Sequence, residues 1–154
     1  MKLIAITANT SWYIYNFRKN TILNLISKGY IVTTISPNDE YSKKLRNLGC
    51  NHIHISIDQN TKNIFSDIIT LINFYKIFKK LKPKVVLNFT TKNNVYSTLA
   101  AYINNIKIIN NISGLGVNFT NKSITFYILK YLYKLSQPLA NIIFFSKNIK
   151  LLVM

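Results

Sequence analysis

The sequence predicts an α/β protein with a parallel sheet flanked by helices on both faces. Three observations point there. Short apolar and β-branched runs alternate with helical segments along nearly the whole chain, as in successive βαβ units. Several runs are continuously apolar, as in strands covered on both sides. With 154 residues, 49% of them hydrophobic, the chain can bury one substantial core and is no disordered polymer.

Residues 3–8 (LIAITA) read as a buried strand and residues 9–15 as a polar and aromatic loop. Residues 17–28 show helical spacing, with Phe17, Ile22, Leu23, Leu25 and Ile26 apolar and Gly29 as the stop. Residues 31–35 form a β-branched strand ended by Ser36 and Pro37, and residues 41–48 a short helix closed by Gly49. Residues 52–57 alternate as a strand. A longer helix covers 63–81 and stops at Lys82-Pro83. Residues 85–89 make a fourth strand, 90–93 a loop, 94–103 a helix and 107–112 a fifth strand. A helix over 123–136 with an aromatic face and a strand over 141–145 complete a Rossmann-like sheet. Residues 1–145 are one domain; 146–154 are an atypical tail, read as a truncation.

The formal charge of +16 comes from 20 Lys and Arg against four acids, Asp39, Glu40, Asp58 and Asp67. Such a field attracts polyanions. Nucleic acid is excluded as the partner, because the arginines are only Arg18 and Arg46 and no recognition motif is present. An anionic membrane surface fits better. The helix over 63–81 joins Ile64, Phe65, Ile68, Ile69, Ile72, Phe78 and Leu81 to Lys76, Lys79, Lys80, Lys82 and Lys84 at its end, a pattern for salt-sensitive peripheral binding. The alternative is that this stripe packs on the sheet. No apolar stretch approaches the roughly 20 residues a span needs, and the N-terminus lacks a signal-peptide core. One cysteine, Cys50, forms no internal disulfide, which suits a reducing cytoplasm. His52 and His54 lack ligand-type neighbours, so no metal is expected.

Three segments fall at the carboxyl ends of strands, the rim where open parallel sheets hold ligands. They are Trp12 to Arg18, Thr91-Lys92-Asn93, and Ser113-Gly114-Leu115-Gly116, which holds two of the chain's four glycines. Gly114 and Gly116 would let the backbone approach a ligand closely. The first segment lacks Gly-x-Gly-x-x-Gly and no acid ends the second strand, which argues against a dinucleotide; no cofactor is expected.

At Tyr15-Asn16-Phe17-Arg18, Thr91-Lys92-Asn93 and Gly114-Leu115-Gly116, the chain resembles the N-terminal domain of family 4 glycosyltransferases of bacterial polysaccharide synthesis. The resemblance covers residue 1 to about 145. It implies one half of a GT-B fold, whose N-terminal domain holds the acceptor, often a polyprenyl-diphosphate-linked sugar. The C-terminal domain holds the nucleotide sugar through a motif with two glutamates. The single glutamate here, Glu40, lies in no such motif, so the donor would be met only through a missing C-terminal domain and the chain alone would be inactive. The resemblance implies an acceptor side made of Tyr15, Arg18, Thr91, Lys92, Asn93, Gly114, Leu115 and Gly116. Arg18 could instead cap or bridge its own helix, Tyr15 could be core, and Lys92 could be solvated. The expected location is cytoplasmic, peripheral on the inner face of the membrane. The alternative function is a non-catalytic α/β binding module that pairs with a separate donor-binding chain.

Overall fold

The structure, a computed structural model, describes residues 2–58, 64–112, 124–146 and 149–152. The elements follow in the order β1 (Leu3–Thr7), α1 (Ser11–Ser27), β2 (Ile31–Ser36), α2 (Tyr41–Asn47), β3 (Asn51–His54) and α3 (Ile64–Leu81). Then come β4 (Val85–Phe89), α4 (Thr91–Ile103), β5 (Lys107–Ile112), α5 (Ile124–Ser136), β6 (Asn141–Ser146) and β7 (Ile149–Leu152). One sheet carries them in the order β3-β2-β1-β4-β5-β6-β7. β1 to β6 are parallel and β7 returns antiparallel to β6.

Helices cover both faces. On one, α1 and α2 pack Ile14, Ile22 and Leu45 against Ile6, Ala8 and Val32. On the other, α3, α4 and α5 close over Ala5, Ile35, Val86 and Ile108, with Phe74 and Phe78 of α3 fully buried and stacked 5.6 Å apart. Neighbouring Ala5 and Ile6 serve opposite clusters, as the two-residue strand period requires. From β1 the chain lays strands outward through β2 and β3. α3 then returns it to β4, on the other side of β1. The carboxyl ends of β1 and β4 therefore part at a topological switch point, where such sheets bind ligands.

Several local expectations change. Residues 11–15 are helix, not loop: α1 begins at Ser11 because the Thr10 side chain accepts from Tyr13 N at 3.0 Å, an ordinary N-cap. Asp39 Oδ2 takes a second end donor, Trp12 N, at 2.9 Å. Thr91, Lys92 and Asn93 form the first turn of α4 rather than a loop. β3 ends at His54, although Ile55 and Ile57 beyond it stay buried. In the tail, Ile149–Leu152 adds a strand. Gly29 (φ +78) and Gly49 (φ +93) follow α1 and α2 in the left-handed region, as helix-ending glycines do.

Candidate functional site

Arg18 lies in the second turn of α1 and reaches toward the end of β4. Its guanidinium carbon stands 4.2 Å from the centre of the Phe89 ring, and Nη2 donates to the Tyr13 hydroxyl at 3.0 Å. Phe89 is buried and Arg18 half-buried, so stacking on the ring and the hydrogen bond to Tyr13 both hold the cation in place. Trp12 and Phe17, both exposed, meet edge to face at 5.5 Å, and Phe17 is 5.1 Å from Tyr13. Asn16 donates to Trp12 O at 2.9 Å and so serves its own helix. The N-terminus of α1 already has Asp39, a carboxylate, on it.

The N-terminus of α4 differs. Its first turn carries no acid, and its N-cap Thr90 makes no side-chain bond to a helix N–H. Thr90 stands at φ 74, ψ 151, a region that only glycine occupies easily. Its hydroxyl donates to Asn93 Oδ1 at 3.1 Å. Asn93 is fully buried, and its Nδ2 has no hydrogen-bond partner. A helix N-terminus with an unspent amide donor and no acid in its own first turn suits an anion.

Beneath this turn lies a polar ladder that the sequence reading missed. Thr7, Asn88 and Asn110 occupy the same register on β1, β4 and β5. Thr7 Oγ1 donates to Asn88 Oδ1 at 2.8 Å, and Asn88 Nδ2 donates to Asn110 Oδ1 at 2.9 Å. From α4, Ser97 donates to Asn88 Oδ1 at 2.6 Å and Thr98 to Asn110 Oδ1 at 3.0 Å. All are buried, and such a satisfied network fixes α4 in one position on the sheet. The available signal was an asparagine in the middle of each of two apolar strands, VVLNF and KIINNI.

The structure separates the other sequence-derived candidates. Lys92 turns toward α3, where Nζ meets Asp67 Oδ1 and the Asp58 carbonyl, each at 2.8 Å; the side chains of Lys92 and Asp67 are only 13% and 12% exposed. Burial and the Asp67 carboxylate, which accepts its hydrogen bond, push the Tyr96 hydroxyl well above its usual pKa. Tyr15 meets α2, 5.6 Å from the Tyr41 ring, and packs against the core on the α1 side of the sheet. Arg18, Phe89, Thr90 and Asn93 thus gather around the end of β4, while Lys92 and Tyr15 serve neighbouring helices. Gly114, Leu115 and Gly116 lie outside the described residues.

Two further groups are spoken for. His52 bonds to Thr34 and Asn38, and His54 to Asn38 N and Ser56. Burial pushes the Cys50 thiol up to about 11, which makes it a poor nucleophile. The outward side of α3 is apolar: Phe65 is 76% exposed, and Ile68, Ile69 and Ile72 are also exposed, while Thr70, Phe74 and Phe78 turn inward. α5 adds exposed Tyr127, Ile128, Tyr131 and Leu135. Among the described residues, no helix is long and apolar enough to cross a membrane.

Comparison with known proteins places these features. Residues 3–147 match the family model described as glycosyl transferase 4-like. The chain is 30% identical over 136 residues to the N,N'-diacetylbacillosaminyl-diphospho-undecaprenol alpha-1,3-N-acetylgalactosaminyltransferase of Campylobacter jejuni; the match takes in 83% of this chain and 35% of that protein. The chain therefore spans about a third of that relative's length. In fold it matches a glycosyltransferase from Rickettsia africae (TM-score 0.70, 18% identity, 95% of this chain and 37% of that one). It also matches MurG from Acinetobacter baumannii (TM-score 0.63, 15% identity, 97% and 42%). The UDP-GlcNAc 2-epimerase of Methanocaldococcus jannaschii is another structural match (TM-score 0.62, 18% identity, 96% and 40%). The fold is thus shared by transferases and epimerases, whereas the sequence match is to the transferases: this chain belongs to the glycosyl transferase 4-like family.

Proposed function

We propose that this chain is the acceptor-binding half of a glycosyltransferase that extends a lipid-diphosphate-linked glycan. The observation that carries this reading is the end of β4. There the stacked Arg18 guanidinium and the N-terminus of α4, which has no acid in its own first turn and carries the unspent Asn93 amide, stand at the switch point. A diphosphate calls for such donors and cations. Thr91 would add a backbone N–H, and Gly114, Leu115 and Gly116, which follow β5 in the sequence, belong to the proposed acceptor side. The Campylobacter jejuni relative, named for a diphospho-undecaprenol substrate, supports this class of acceptor. Lys92 enters the proposal as a cation already shared with Asp67, and Tyr15 as packing for α1.

The nucleotide sugar would be bound by a separate domain, so the 154 residues alone transfer no sugar; both walls of a cleft must orient donor against acceptor. A lipid acceptor also has to be met at the bilayer. The outward face of α3 offers Phe65, Ile68, Ile69 and Ile72 beside Lys76, Lys79 and Lys80, an apolar stripe ending in cations. That arrangement supports peripheral docking on anionic lipid, at about 1 kcal/mol per juxtamembrane lysine, on the cytoplasmic face where a nucleotide sugar is available.

The test joins this chain to a donor-binding domain and replaces Arg18 by alanine. The KM for the lipid-linked acceptor should rise about tenfold or more, with the KM for nucleotide sugar little changed. An unaltered acceptor KM in a folded variant would reduce Arg18 to a packing residue and remove the central support for this reading.

A further inference from the structure

A cavity of about 100 Å³ opens between α3 and α5, with α4 beneath it. Ile64, Ile68 and Leu71 of α3, Leu99 of α4, and Ile128 and Leu132 of α5 supply its aliphatic lining. Ile64, Ile68 and Ile128 are also exposed, so its mouth lies on the outward apolar face. Its polar boundary is the Asp67 carboxylate, with the Tyr96 hydroxyl bonded to it and Lys92 paired to it. Lys92, Tyr96 and Leu99 succeed one another at helical spacing along one face of α4. That face descends from the helix N-terminus, where the acceptor diphosphate is placed above, and Leu99 lies about 10 Å along the axis from Lys92.

We infer that this groove holds the first isoprenoid units of the lipid acceptor. The inference rests on the acceptor reading above and adds where the chain of the lipid goes. Among the described residues, an amphiphile with its diphosphate at the start of α4 finds an apolar path down the Tyr96 and Leu99 face between α3 and α5. The lining is branched and aliphatic, matched to methyl-branched isoprene. The volume is smaller than the roughly 150 Å³ of a cavity that accepts benzene, so it seats about one isoprene unit. The remainder of the chain runs out over Ile68, Ile69 and Ile128 to the bilayer. Exposed Lys130 and Lys134 on α5, with Lys76, Lys79 and Lys80 further along α3, give the two helices that wall the groove charge complementary to anionic headgroups. Fixing the first unit would hold the diphosphate in register with the reacting end and select polyprenyl carriers over ordinary acyl lipids.

The experiment uses the 154-residue chain with labelled backbone amides and labelled Ile and Leu methyl groups, observed by NMR at sub-micellar ligand concentrations. Geranylgeranyl diphosphate should shift Ile68, Leu71, Leu99 and Leu132 saturably, geranylgeraniol should shift the same methyls more weakly, and inorganic diphosphate should leave them unmoved. Leu99→Phe fills the groove from below and Ile128→Trp blocks it at an exposed position. Each should weaken geranylgeranyl diphosphate about tenfold or more, and Leu99→Phe, which lies beneath α3 and α5, should leave flotation with anionic vesicles unchanged. Shifts confined to Ile69 and Ile72, or unchanged affinity in both folded variants, would overturn the inference. So would hexadecyl phosphate seating in the groove as tightly as the isoprenoid, since the occupant would then be any alkyl chain. If geranylgeraniol fills the groove and diphosphate leaves the amides of Thr91 and Asn93 unmoved, the groove stands and the placement of the diphosphate falls.

Discussion

Arg18 and Thr90 show how single residues shape the end of β4. Arg18 has its guanidinium carbon 4.2 Å from the centre of the Phe89 ring and a hydrogen bond from Nη2 to Tyr13, so the fold itself sets the position of the cation. Thr90 holds a backbone conformation that costs a β-branched residue about 1–3 kcal/mol. This gives an unusual expectation: Thr90→Gly and Thr90→Ala both lose the bond to Asn93, but only glycine relieves the strain. The glycine variant should therefore be about 1 kcal/mol more stable than the alanine variant, the reverse of the ordinary order; urea unfolding of the two reads it directly. His52 sets a pH dependence. Burial, and then Arg46, hold its pKa below the usual 6.5. The unfolded chain therefore takes up this proton first as pH falls. Stability from neutral His52 is complete above 6.5 and drains as pH drops through the lowered folded value. The unfolding midpoint should fall between about pH 7.5 and about pH 5.5, and His52→Gln should flatten that slope.

At the scale of elements, α3 carries two faces with different tasks. Asp67, Thr70, Phe74 and Phe78 turn inward, while Phe65, Ile68, Ile69 and Ile72 remain outside. If the outer face docks on lipid, Ile69→Glu should lower binding to anionic vesicles about tenfold without changing thermal stability, because Ile69 is 57% exposed. Flotation at low and high salt measures this, and equal binding of wild type to neutral vesicles would contradict the docking. The ranges of β4 and β5 were legible in the sequence because continuous β-branched runs bounded by Pro and polar residues have few other solutions. The starts of α1 and α4 were not. Trp12, Tyr13 and Tyr15 read as loop residues, and Thr91, Lys92 and Asn93 as a polar connection. The decisive signals were the short side chain of Thr10 and the tertiary contacts of α4. Ile149–Leu152 was equally hidden, since its strand character depends on pairing with β6.

At the scale of the whole molecule, the topology brings distant residues together in ways that local pattern cannot show. Arg18 meets Phe89 because β4 lies beside β1, and Lys92 meets Asp67 because α3 and α4 share a face. The sequence placed all the candidates on one rim. In the structure, Arg18 and Asn93 gather at the end of β4, while Lys92 and Tyr15 are taken up by α3 and α2. The same asymmetry defines the central claim, an acceptor-binding half with its donor partner elsewhere. Isothermal titration of the 154-residue chain tests it most directly, with geranylgeranyl diphosphate in one series and UDP-N-acetylgalactosamine in the other. The account predicts saturable, salt-sensitive binding of the lipid diphosphate and no heat from the nucleotide sugar. Binding of the nucleotide sugar with none of the lipid diphosphate would contradict it.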